Sequence, residues 1–480
     1  MSEFGRDLTL STSAQLTSRL IGLASTVVIA NLTGAHNYGI LSAALAISGL
    51  LMVLLNSAAG SNVLLLREIA FNKDKARDFS RAVFRLRIGG IVLLCGPLFV
   101  VIYVSGMDSH KSLIFGLAFL LLSLDSLLRI NYAVFNATGH VDARALFEVG
   151  ISIINFALVI TVLLFSRNLH YYLYSKALML IAGLGLADML HMKFFQNWKL
   201  SSIDKNLYLL LLKKSIPFVG LAVSATLAVQ ADIICLTLLE DDKTVGIYRA
   251  ATNFYLGFEV VPAALFLVFL PHLSSVVDRD STSASAVSLV NQTLKYLLVI
   301  GSLATGVLFF SANWIVALFY SEEFSHASIV LRTISLNLVA LFLSSFFGTI
   351  LVAIRRERLV SVLALASASV NVFLNIVLIP IVGMVGAALA TLVSTSIAAA
   401  LQWGFAVRLL EHKVAFGELF GKNLVGLFVS GGVAYASYAM GAGGVIAGIV
   451  FVLSYLGTAH VVRLATREDW WVVFEVFRKR

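Results

Sequence analysis

Several ionisable residues lie inside long apolar runs of this 480-residue chain, and any chemistry starts with five of them: Arg19, Asp232, Arg249, Glu259 and Arg332. A charge at the centre of a bilayer-spanning helix costs roughly 2.5–3.5 kcal/mol on insertion scales, so each needs a reason to be there. Arginine carries a planar, permanently charged fork that binds anions bidentately. A carboxylate near the midplane is a candidate proton or sodium site. Each residue also has a plain structural explanation. Arg19, in "TSRLIGLASTVV", could snorkel to lipid phosphates. Asp232 and Arg249 reach a similar depth on either side of "LLEDDKT", so they either clamp two antiparallel neighbours or line a cavity. Glu259 is the deepest carboxylate of the C-terminal half, suited to ion coupling or to a protonated hydrogen bond with a neighbouring helix. Pro262, three residues on, frees a carbonyl one turn back and invites a bend. Arg332 stands near the mouth of its run. Asp125 and Arg129 are spaced to pair on their own helix face, and Asp188 and His191 read as a solvated rim.

The elements that position these residues must be membrane helices. The chain is 59% hydrophobic and 13% charged, with a mean hydropathy of +0.93, whereas soluble domains carry about 25% charged residues. Runs of about 20 apolar residues suffice to cross the hydrocarbon. Fourteen are expected, near 10–31, 38–66, 83–105, 112–135, 146–166, 171–192, 215–238, 245–270, 286–310, 327–353, 359–380, 384–407, 423–441 and 443–464. With that count, 28 lysines and arginines fall on the side of the N-terminus and 6 opposite. The positive-inside rule then places both termini in the cytoplasm. The net charge of +9 is accounted for by orientation and contact with anionic lipid heads rather than by nucleic acid. No cleaved signal peptide is expected at the start, and Cys95 and Cys235 read as buried free thiols. The tail "REDWWVVFEVFRKR" (467–480) reads as an amphipathic helix on the cytoplasmic leaflet.

The chain repeats itself. "GILSAA" at 39–44 and "GIYRAA" at 246–251 share four of six letters at an offset of 207, and Arg249 stands where the first copy has Ser42. "NFALVI" at 155–160 and "NVFLNI" at 371–376 echo each other at an offset of 216. Spans one to six therefore resemble spans seven to twelve, with two more appended. Six is even, so the repeats are parallel, the arrangement of transporters that bind between halves and alternate access.

"NVFLNIVLIPIVGMVGAALATLVS" (371–394), "LTGAHNYGILSAALAISGL" (32–50), "SIPFVGLAVSATLAVQADIICL" (215–236), "VGIYRAATNF" and "FLPHLS" (269–274) resemble the multidrug/oligosaccharidyl-lipid/polysaccharide exporter superfamily, and within it the polysaccharide (O-antigen, Wzx-type) flippases. The resemblance implies an all-α polytopic membrane protein of about fourteen spans. Two six-helix bundles, 1–200 and 201–412, would form a V, with an extra helix pair and tail at 413–480. It implies a flippase of a bacterial inner membrane. Its partners would be a polyprenyl-diphosphate-linked glycan and membrane lipids, with polymerase and glycosyltransferases as further candidates. Arg19, Arg249, Asp232 and Arg332 would line the cavity, the arginines meeting the diphosphate, and Glu259 would be the ion-coupling candidate. No cofactor, metal or nucleic acid is expected. The alternative within the superfamily is an ion-coupled multidrug exporter of cationic compounds. An enzyme is disfavoured, because no nucleotide or metal motif appears and the longest outer loop, around 320–328, is too small for a donor site.

Overall fold

The computed structural model describes all residues except 1–2, 59–61, 72–75, 105, 195–204, 263–265, 267–268, 271–272, 275–283, 410–414 and 465–480, so the 467–480 tail lies outside the described residues. The described regular structure is helical throughout. In chain order it comprises α1 (Glu3–Ala58), α2 (Asn62–Phe71), α3 (Ala76–Val104), α4 (Ser109–Ala137), α5 (Val141–Ser166), α6 (Leu169–Phe194), α7 (Lys205–Leu239) and α8 (Asp242–Gly257). There follow α9 (Ala284–Phe319), α10 (Ala327–Ser335), α11 (Asn337–Ala353), α12 (Glu357–Val382), α13 (Met384–Leu409), α14 (Phe416–Ala439) and α15 (Gly443–Val461).

Among the described residues, eleven helices are long and apolar enough to span a membrane, or twelve if α10 and α11, bent by 42°, form one span. The chain is a multi-pass membrane protein. The first of these segments, Leu10–Ser57, is 48 residues long and breaks at Gly34, whose φ of 80° and ψ of 165° are not helical. A residue with a Cβ would be strained at that φ, so the glycine turns one continuous run into the two expected spans. The second limb ends earlier than its hydropathy suggests, and α2, at 10 residues, is too short to cross. An outward apolar surface suited to lipid lies on α3, where Val92, Leu93, Phe99, Tyr103 and Val104 are all largely exposed. Cys95 is exposed on the same helix and Cys235 is buried; both are free, so burial was the wrong expectation for the first.

The described residues divide into two compact units, Met1–Arg249 and Ala250–Arg480, with the division inside α8. In the first unit, the two copies of the repeat pack against each other. A methyl placed on Gly39 would lie 1.6 Å from the Asp242 carbonyl oxygen and 2.9 Å from the Gly246 nitrogen. One on Gly246 would lie 2.0 Å from the Ala35 carbonyl oxygen and 3.0 Å from the Gly39 nitrogen. Residues 35 and 39 map onto 242 and 246 by the same offset of 207, so the contact is a local two-fold. Small residues four apart are what let membrane helices approach so closely. The entry of α8 is fixed by Asp241, whose carboxylate accepts from the Thr244 amide at 2.8 Å. Hydrogen bonding to Thr244 holds that carboxyl below its ordinary range. Lys111 on α4 adds a 2.6 Å ion pair with Asp242.

The same unit hides a cation. Arg87 on α3 is fully buried. It donates to the Ser126 carbonyl at 2.6 Å and to Asn62 Oδ1 at 2.8 Å, while the Ser126 hydroxyl donates to Asn56 Oδ1. By sequence Arg87 belongs to a cytoplasmic loop; in the fold it ties α3 to α4 and α2. Asp125 and Arg129 pair as expected, at 2.7 Å.

In the second unit, Asn371 on α12 donates to Thr391 Oγ1 on α13 at 3.1 Å. Its counterpart in the repeat, Asn155 on α5, accepts from the Tyr172 hydroxyl on α6 at 3.2 Å. The echo thus preserves an asparagine that reaches the next helix. The appended pair is bound by polar groups too: Tyr455 on α15 donates to Asn423 Oδ1 on α14 at 2.5 Å, and Ser302 on α9 donates to the same oxygen at 2.9 Å.

Gly246→Leu is expected to separate the α1–α8 crossing and lower the melting temperature of detergent-purified protein, since overpacking alone costs about 1–3 kcal/mol; an unchanged melt would refute the close approach. Arg87→Ala should destabilise by about 2–5 kcal/mol, the range of large core truncations, read in the same assay.

Candidate functional site

A cavity of about 230 Å³ in the first unit brings α1, α4, α5, α6, α7 and α8 together. Ser42 and Arg249, the repeat-equivalent pair, both line it. So do Ser25, Thr26, Asn155, Tyr172, Lys176 and Gln230. Two cations, Arg249 and Lys176, and no carboxylate are among its lining residues. Tyr172 anchors the second of them, with the Lys176 ammonium 5.8 Å from the ring centroid, a cation–π contact one helical turn long. The cavity hydroxyls are committed to their own helices: Ser25 donates to the Ile21 carbonyl at 2.8 Å, Thr26 to Leu23 at 2.8 Å and Ser42 to Tyr38 at 2.7 Å. A confined space lined by two positive charges and no carboxylate suits an anion, because Coulomb attraction strengthens as solvent screening falls.

The residues expected from sequence are distributed as follows. Arg249 is half-buried in this cavity. Asp232, buried at 8% exposure, is not among the lining residues and accepts a 2.5 Å hydrogen bond from the hydroxyl of Tyr248, next to Arg249. Its equivalent in the first copy, Ser25, faces the cavity instead. Arg19 is exposed on α1. It precedes the lining residues Gly22, Thr26 and Ile29 by three, seven and ten positions, and therefore shares their helix face, about 4.5 Å from Gly22 along the axis.

Arg332 and Glu259 belong to the second unit. Arg332, in the last turn of α10, stacks over Tyr438 of α14 at 5.9 Å. Glu259 is half-buried in a turn just after α8 ends at Gly257. There the helix tightens: Phe258, Glu259 and Val261 donate to carbonyls three residues back, at 3.1, 3.2 and 3.1 Å. The Phe258 carbonyl, which Pro262 cannot reach with an N–H, is taken up by Val261. The side chain of His191 lies outside the described residues, so its pairing with Asp188 is not placed.

Lys176 is the cavity residue that charge counting missed, having been tallied only among the six cations on the side opposite the N-terminus. Its signal is its position inside the sixth apolar run, four residues after Tyr172. A larger cleft of about 600 Å³ in the second unit is lined by Phe309, Phe347, Trp403, Phe416, Phe451 and other uncharged residues. It offers room for hydrocarbon and no means of holding an ion.

No curated protein matches the sequence. Among solved structures, the lipid II flippase MurJ in an inward closed conformation is similar over 94% of this chain and 98% of its own, at a TM-score of 0.70 and 19% identity. An inward-facing multidrug resistance MATE family transporter of the MOP superfamily covers 82% of this chain and 95% of its own, at 0.67 and 13%. A MATE transporter from Vibrio cholerae covers 85% and 97%, at 0.58 and 16%. At these identities the likeness establishes the fold, that of flippases and exporters. The family model described as "Polysaccharide biosynthesis protein" matches residues 4–277, more than half of the sequence and all of the cavity lining, and the chain belongs to that family.

Proposed function

We propose that the protein is a flippase that carries a polyprenyl-diphosphate-linked oligosaccharide, the repeat unit of O-antigen or another surface polysaccharide, from the cytoplasmic to the outer leaflet of a bacterial inner membrane by alternating access. On this reading the repeats 1–200 and 201–412 are the two moving halves, 413–480 is an appendage, and both termini are cytoplasmic. The observation that carries it is the pairing of Arg249 with Lys176 in one cavity that has no lining carboxylate. A diphosphate cannot enter hydrocarbon bare, and two fixed cations offset its desolvation. Arg19, on the same face of α1 nearer the N-terminus, is a further contact for the anion on its way in. Asp232 supports the cavity by fixing Tyr248, Arg332 stays a cavity candidate in the second unit, and Glu259, at the broken end of α8, remains the ion-coupling candidate. Polymerase and glycosyltransferases are proposed partners.

The likeness to MATE transporters favours a second reading, ion-coupled export of drugs. A cationic drug would need carboxylates in the cavity, and the charge found there has the opposite sign.

A deletion strain should lose surface glycan while its lipid-linked precursor accumulates on the cytoplasmic leaflet; normal glycan with heightened sensitivity to cationic dyes would favour the drug exporter. Arg249→Ala and Lys176→Ala should each cut export about ten- to a hundred-fold, since one charge-assisted hydrogen bond is worth ~1.5–3 kcal/mol. Arg19→Ala should also abolish export without affecting membrane insertion, with Arg19→Lys retaining part of it, whereas wild-type export in Arg19→Ala would make that arginine a snorkelling anchor.

A further inference from the structure

Three apolar spans of the second unit end at one place. α11 stops at Ala353, α12 begins at Glu357, and α13 carries Arg408 in its last turn. Between them lies a cleft of about 620 Å³, lined by Arg355, Arg356, Arg358 and Arg408 together with Glu357, Leu359 and Phe405. Four guanidiniums and one carboxylate share the cleft, so its lining carries a net charge of +3. Like charges held this close repel one another, and the turn that presents them is itself strained: Arg355 sits at a φ of +61°, where a side chain costs about 1–2 kcal/mol. Arg356 is the N-cap of α12 and makes no capping hydrogen bond, so the positive end of a 26-residue helix adds to the same field.

Retention of a loop on one side of the membrane needs positive charge only. It does not need a concave site, a left-handed arginine or convergence of charge from two helix ends. The geometry points to a binding site for the phosphate headgroup of an anionic membrane lipid. The depth is right, because the arginines lie where three hydrocarbon-spanning segments end, at the level of lipid phosphates. The chemistry is right, because arginine forks bind phosphate oxygens bidentately. The apolar wall decides between a lipid and a free phosphate. Phe405 is 37% exposed beside the arginines, and Leu359 lines the same cleft. A soluble anion gains nothing from that surface, whereas a lipid lays its glycerol and first methylenes along it. The site is separate from the Arg249–Lys176 cavity, and its occupant need not be transported.

The test uses the full-length protein purified in neutral detergent, with bound lipids counted by native mass spectrometry. Phosphatidylglycerol, phosphatidylcholine and inorganic diphosphate are titrated separately. The wild type should hold one phosphatidylglycerol per chain that Arg356→Ala/Arg408→Ala loses, with affinity for that lipid about ten- to thirty-fold weaker in the variant. Arg356→Lys/Arg408→Lys should keep most of the binding, and phosphatidylcholine should not occupy the site. Equal phosphatidylglycerol binding by wild type and alanine variant would overturn the site. Displacement by inorganic diphosphate at the concentration at which phosphatidylglycerol binds would overturn the lipid and leave a free-phosphate site. If the double alanine variant elutes aggregated, Arg358→Gln and Arg408→Gln, each changing one exposed residue, report the same loss.

Discussion

The first unit turns on a place where no side chain fits. Gly39 and Gly246 bring the backbones of α1 and α8 together so closely that a single methyl on either would overlap the other's carbonyl or amide. In lipid there is no hydrophobic drive to press two helices together, so such contacts rest on dispersion and on the absence of bulk. Because the crossing obeys the offset of the repeat, it fixes the relative register of the two copies. Three residues further along, that register carries Ser42 and Arg249 to the wall of the same cavity. The divergence of one residue between the copies thereby becomes a charge on one side of a shared space.

Around that crossing the polar groups divide into two kinds. Arg87 donates to neutral oxygens of Asn62 and Ser126 and ties α3 to α2 and α4. Arg249 and Lys176 face open volume and can exchange partners. Arginine is structural where it is fully buried, at Arg87, and lines open volume where it is half-buried, at Arg249. Accessible volume beside the charge makes the difference. Asp232 illustrates the point again: held by Tyr248, it secures the helix pair from which Arg249 extends.

Much of this was legible in the chain. Hydropathy and length alone mark the spans. The glycine-led repeat was visible as letters, although nothing in the letters said that its two copies touch. What escaped were rotations and depths. Arg87 follows six other cations and precedes an apolar run, so it counts as a loop charge until Ser126 and Asn62 are seen to enclose it. Lys176 counts only toward the charge opposite the N-terminus until Tyr172, one turn earlier, is seen beside it in the cavity wall. The tightened turn after Gly257 was foreseeable from Pro262, because a missing N–H has only local consequences. The four arginines of the second unit were read as topology, since charge can be summed from a sequence but concavity cannot.

The hydroxyls of the cavity have a last consequence. Ser25, Thr26 and Ser42 each give their proton to a carbonyl of their own helix, so toward the open space they present lone pairs only. Hydrogen-bond donation into the cavity is left chiefly to Arg249, Lys176 and the amides of Gln230 and Asn155, the latter accepting from Tyr172 through its oxygen. The walls are therefore sorted by polarity, with donors at a few points and acceptors along α1. A guest with acceptor oxygens at one end and hydroxyl protons at the other would fit in one direction and not in reverse. On the proposed reading, a pocket lined in this way would select the heading of its guest as well as its charge.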